Sequence, residues 1–89
     1  MACIDIDSLT QYEAAARKGR ADALYNLGLA YSTGQGVRVD LIAAHKWFNL
    51  AAVKGFEAAK SWRAQLAREM SASQIAEAQR LAREWLVSA

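Results

Sequence analysis

A set of residues in this chain returns after one fixed interval. Ala15, Ala16, Lys18, Gly19 and Ala23 recur as Ala51, Ala52, Lys54, Gly55 and Ala59, each 36 positions on. Tyr12 returns at the same displacement as the aromatic Phe48. A period of this length belongs to stacked helical repeats, in which each unit buries a face only by leaning on its neighbour. The passage from Ala21 to Gly55 holds the fullest unit and reads as two short helices joined by a turn that carries Gly34 and Gly36.

Composition supports helices packed close together. Hydrophobic residues make up 54% of the chain, and many of them are alanine, the best helix former and a small residue for helix contacts. Proline, which would kink or stop a helix, is absent. Eighty-nine residues make one small domain, expected to span residues 1–89. A domain of this size hides only about 60–65% of the surface its unfolded chain exposes, so its margin of stability is thin. Cys3 is the sole cysteine, so no intramolecular disulfide adds to that margin, and a reducing compartment is expected.

The opening MACIDIDSLTQYE has neither the basic start nor the apolar core of a signal peptide. No run approaches the ~20 apolar residues that cross a bilayer. The expectation is a soluble, cytoplasmic protein without a membrane partner. A net charge of +2 is too small to imply nucleic acid.

Helical periodicity and end signals predict five segments. The first runs from about Ser8 to Lys18, capped by Asp7 or Ser8, with Leu9, Tyr12, Ala15 and Ala16 on its apolar face and Gly19 closing it. The second runs from about Ala21 to Ser32, with Ala23, Leu24, Leu27, Ala30 and Tyr31 inward. Tyr25 and Leu29 make its other side apolar too, as in a helix sandwiched between two others. Gly28 costs this helix about 0.5–1 kcal/mol relative to alanine, which implies a close approach by another helix.

In the turn, Val37 or Val39 is expected to tuck inward. Asp40 caps a third helix, about Leu41 to Lys54, buried along Ala44, Trp47, Phe48, Ala51 and Ala52. A fourth helix runs from about Phe56 to Arg68. In it Ala59, Trp62, Arg63 and Leu66 stand where Ala23, Asn26, Leu27 and Ala30 stand in the second, and Arg63 breaks the pattern. Ser71 and Gln74 form a capping box that opens a fifth helix, about Ser73 to Val87. Ile75, Ala78, Ala82 and Trp85 face inward there, and Arg80 is set to pair with Glu84.

These residues carry a resemblance. Ala23, Leu27, Gly28, Tyr31, Gly34, Gly36, Val37, Asp40, Ala44, Trp47, Ala51, Ala52 and Gly55 fill the pattern of a Sel-1-like repeat, a relative of the tetratricopeptide repeat. One full repeat occupies about residues 20–55, with partial repeats on either side and a capping helix at about 73–87. The resemblance implies an all-α fold of five short antiparallel helices in an αα stack, with the last helix as a cap. It also implies an adaptor or scaffold with no catalytic residues of its own. Some bacterial members place cysteine pairs within each repeat, which Cys3 alone cannot supply.

In repeats of this class the first helix of each pair lines the concave side, which makes Tyr25, Asn26 and Leu29 the expected partner-binding residues. The function expected is a small non-catalytic protein-interaction module, bacterial in type. The other reading is a structural protein that dimerises or stacks through its open repeat ends, with Trp62 and Trp85 raising that question.

Other residues are read as structural. Trp47, Phe48 and Tyr31 fall on packing positions. The glycines of the turn lack the following Lys-Ser/Thr of a phosphate loop. His45 has no second and third ligand at metal spacing and no nucleophile beside it, so it is expected on the surface, solvated or hydrogen-bonded. Arg17, Lys18 and Arg20 suit the end of a helix dipole and are too few for a nucleic-acid reader. No cofactor is expected.

Overall fold

A computed structural model describes residues 6–88, with side chains from Leu9 onward. Among the described residues the chain forms five α-helices and no strand: α1 Ile6–Arg17, α2 Ala21–Thr33, α3 Leu41–Val53, α4 Ala58–Ala67 and α5 Ala72–Ser88. The helix at the start of the chain already includes Ile6. Asp7 and Ser8 therefore stand within α1 and neither occupies the cap position expected of it. Cys3 and Asp5 lie outside the described residues.

Short-range chemistry sets three of the other helix ends. The Asp40 carboxylate accepts from the Ala43 amide at 3.1 Å and opens α3. Before α5, the Ser71 amide donates to Gln74 Oε1 at 2.9 Å and the Gln74 amide donates to Ser71 Oγ at 3.1 Å, a reciprocal capping box. Gly34 closes α2 with its amide on the Ala30 carbonyl. Of the two valines in the turn, Val37 packs half-buried against the core and Val39 is 53% exposed.

α3 is the centre of the fold. It packs against α2, α4 and α5, and α1 packs on α2. The largest fully buried side chains, Phe48, Leu24, Leu27 and Leu50, belong to α2 and α3. Alanines such as Ala16, Ala23, Ala44, Ala51 and Ala59 fill much of the remaining interior, and their small size lets the helix backbones come near one another. The cap helix α5 docks on α3 through Trp85, whose ring meets Trp47 edge-to-face at 4.8 Å and 80°. Lys46 Nζ lies 4.0 Å from the centre of the Trp47 ring and 5.4 Å from that of Trp85, and burial between the indoles lowers its pKa. On the water-facing side of α5, Arg80 pairs with both Glu77 and Glu84.

His45 corrects the surface reading. It is buried, 3% exposed, and its Nδ1 has no hydrogen-bond partner among the described residues. The reason is the position of α3: helices on three sides cover residues outside the stripe of Ala44, Trp47, Phe48 and Ala51, so Leu50 and His45 are enclosed as well. Burial pushes the His45 pKa below its ordinary value of 6.5, and the positive Arg63 pushes in the same direction. The imidazole is held neutral.

The close approach implied by Gly28 is made by a side chain. A Cβ at this position would stand 2.6 Å from two atoms of the Phe48 ring and 2.9 Å from a third. Phe48 is fully buried and cannot withdraw into solvent.

Two stability predictions follow from this interior. Gly28→Ala should destabilise the fold by about 1–2 kcal/mol despite alanine's better helix propensity, because overpacking outweighs that gain. Phe48→Leu in the same chain should recover part of the loss in a double-mutant cycle measured by urea unfolding. The second concerns pH. Unfolded, His45 takes up a proton near pH 6.5, whereas the folded chain resists protonation to lower pH. The unfolded state then binds more protons, so stability is full above about pH 6.5 and falls as the pH drops through 6.5 towards the folded pKa. The urea midpoint should decline between about pH 7 and pH 5, and His45→Leu should reduce that slope.

Candidate interaction surface

The three residues expected to bind a partner fall on one side of α2, and the structure ties the first of them into an aromatic group. Tyr25 stacks on Phe56, with ring centres 4.4 Å apart and planes at 21°. It also meets Phe48 at 5.7 Å in a tilted contact. Phe48 in turn stacks on Trp62 at 6.1 Å and 14°. The Trp62 indole Nε1–H closes the circuit by donating to Tyr25 Oη at 2.9 Å. Four rings from α2, α3, the segment after α3 and α4 therefore support one another, and offset and tilted contacts of this kind add stability beyond the area they bury.

The group is only partly covered. Tyr25 and Phe56 are half-buried, and Trp62 is 38% exposed. Because Tyr25 accepts from Trp62, its own O–H is left to donate elsewhere. Asn26 is half-buried and its amide makes no hydrogen bond among the described residues. Leu29 is half-buried against the core, and its carbonyl accepts from the Ser32 and Thr33 hydroxyls at 3.1 and 2.7 Å.

Arg63 occupies the repeat position of Leu27 but has a polar role. Its guanidinium donates to Asn49 Oδ1 at 2.6 Å, joining α4 to α3 where the repeat would have placed an apolar contact. This explains how a charged residue is tolerated at that position. Neither Phe56 nor the Asn49–Arg63 bond was predicted. Position 56 echoes Arg20 at the 36-residue interval, so the repeat signals no aromatic there; the available clue is only an aromatic immediately after the closing Gly55.

The arrangement offers flat aromatic surface, a phenol donor and an amide, which suits recognition of a protein surface. Among the described residues, no three of His, Cys, Asp and Glu come together in a way that would hold a metal ion. Among those same residues, no helix is long and apolar enough to cross a membrane.

Residues 21–56 match the family described as Sel1 repeat. No curated protein matches the chain. Sel1 repeats are helical and tetratricopeptide-like, generally non-catalytic, and generally mediate protein–protein interactions. The matched segment is α2, its turn, α3 and the residues up to Phe56; it supplies Tyr25, Phe48 and Phe56 of the aromatic group, and these residues form a Sel1-like repeat.

Proposed function

We propose that the chain is a single non-catalytic interaction domain, a small adaptor or regulator. In this reading it grips a protein partner through the concave helical face at Tyr25, Asn26 and Leu29, and Trp62 extends that face onto α4. α1 serves as the second helix of a preceding partial repeat and α4 as the first of a following one.

The observation that carries the proposal is the Trp62–Tyr25 hydrogen bond. It holds two amphipathic aromatics in fixed orientation while leaving Trp62 38% exposed. Trp and Tyr are the residue types that dominate binding energy at protein interfaces, and residues already fixed in place lose little entropy on binding. The Asn26 amide, which makes no hydrogen bond among the described residues, supplies a polar contact beside them.

Self-assembly through the open repeat ends has its own observation. Leu86 is 43% exposed and Val87 87% exposed on α5, and Val53 is 60% exposed at the end of α3. The two readings part on mass. Self-assembly predicts a mass that rises with concentration in sedimentation of the purified chain, whereas an adaptor stays monomeric.

The test of the adaptor reading compares wild type with a folded variant carrying Tyr25→Phe, Asn26→Ala and Leu29→Ala. Both are used to capture proteins from a lysate of the source cell. A partner retained by wild type and reduced at least tenfold by the variant is expected. Recovery of the same partners by both would sink the concave-face assignment.

A further inference from the structure

The short basic run at the end of α1 is reorganised by the fold. Arg20 is drawn away: its Nε and Nη2 donate to the Asp22 carboxylate at 3.3 and 3.1 Å. Arg17 and Lys18 instead line a cleft with Lys54, the residue that echoes Lys18 one repeat later. The Lys54 ammonium lies against the next residue, Gly19, where it would be 3.7 Å from an added Cβ. These three cations line a cleft of about 230 Å³ at the ends of α1, α3 and α5, with Trp85 and Leu86 as its apolar wall. The Arg17 guanidinium sits 5.8 Å from the centre of the Trp85 ring.

No acidic side chain lines the cleft. Among the described residues, no carboxylate pairs with Arg17, Lys18 or Lys54. The carbonyl ends of α1, α3 and α5 contribute roughly half a negative charge each, less than the three cations supply, so the cleft keeps a positive field. A larger depression of about 440 Å³ along α5 lacks this property, because Arg80 in its lining is already held by Glu77 and Glu84.

We propose that this cleft is a second docking site, one that takes an acidic segment of a protein partner. Carboxylates of the segment pair with Arg17, Lys18 and Lys54, and an apolar side chain beside them lies on Trp85 and Leu86. The backbone gives no anion cradle here, since the Lys18, Gly19 and Arg20 amides donate to the Ala15 and Ala16 carbonyls. Recognition therefore falls to side chains with an aromatic wall, in a space the size of a few side chains. That favours a peptide over nucleic acid, which calls for a longer basic stripe. None of Tyr25, Asn26 and Leu29 lines the cleft, so either surface can fail without the other.

The probe is an end-capped Glu-Glu-Leu-Glu peptide titrated into the full chain at low salt, with binding read by calorimetry and tryptophan fluorescence. The expected result is saturable binding that weakens as salt is raised, and none by Gln-Gln-Leu-Gln. Lys18→Gln and Lys54→Gln should each weaken binding about threefold and together about tenfold. Both side chains are exposed, so these variants keep the fold, and circular dichroism verifies it. A chain with Arg38→Gln and Arg68→Gln loses the same net charge elsewhere and should bind as wild type. The proposal is overturned by absence of binding at low salt, or by equal loss in the control variant. Tighter binding of single-stranded oligonucleotide or inorganic phosphate overturns it too, as does loss of peptide binding in the Tyr25→Phe, Asn26→Ala, Leu29→Ala chain.

Discussion

The contact between Gly28 and the Phe48 ring is the constraint on which the rest of the structure depends. A glycine in the middle of α2 leaves space that no other residue would leave, and the ring fills it. Phe48 is thereby fixed at the crossing of α2 and α3, the two helices that hold the largest fully buried side chains. The same ring then meets Tyr25 on one helix and Trp62 on another. The face proposed to meet a partner thus backs onto this contact in the core. Its side chains need no separate scaffold, and a change that loosens the crossing should disturb the face as well as the fold.

The central position of α3 follows from how little there is to pack. A chain of 89 residues without a disulfide must share one interior among all its helices. α2, α4 and α5 all bury their apolar sides on α3, so it is enclosed on more than the stripe that its own pattern displays. His45 is the cost of that arrangement. An imidazole whose Nδ1 has no partner among the described residues is retained in the interior, where it stays neutral because neither burial nor the neighbouring Arg63 favours a second proton. Stability is then tied to pH near the ordinary range of histidine, on a helix that every other described helix except α1 contacts closely.

Signals with a local cause were legible in the sequence. Asp40 and the Ser71–Gln74 box act across three residues, so chemistry and spacing suffice to place them. The 36-residue echo and the pattern from Ala23 to Gly55 likewise specify a helix pair, because the repeat is a packing rule written into sequence. The start of α1 was not legible, since Asp7 and Ser8 have cap chemistry but the helix continues past them. Nor was the burial of His45, which depends on how many helices surround α3. Arg63 showed a broken pattern, yet its partner Asn49 lies on another helix and no spacing rule connects them. For the candidate face, the resemblance pointed to Tyr25, Asn26 and Leu29 because the first helix of each pair lines the concave side, but the rings that orient Tyr25 come from beyond α2 and are visible only after folding.

The repeat also explains why two different surfaces arise from so short a chain. Each turn of the repeat ends a helix with lysine and glycine, and stacking sets one such ending beside the next. Lys18 and Lys54 are therefore neighbours because the chain repeats, and both lie in the cleft that Trp85 walls. At this edge cations collect, since helix C-termini favour them. On the aromatic face, by contrast, the rings come from positions that do not repeat faithfully: Phe56 echoes an arginine, and Trp62 echoes Asn26. The periodic part of the sequence builds charge at the edge, and the departures from it build the aromatic group. The repeat and the helices that flank it thus present two chemically distinct surfaces, one of aromatic rings and one of cations.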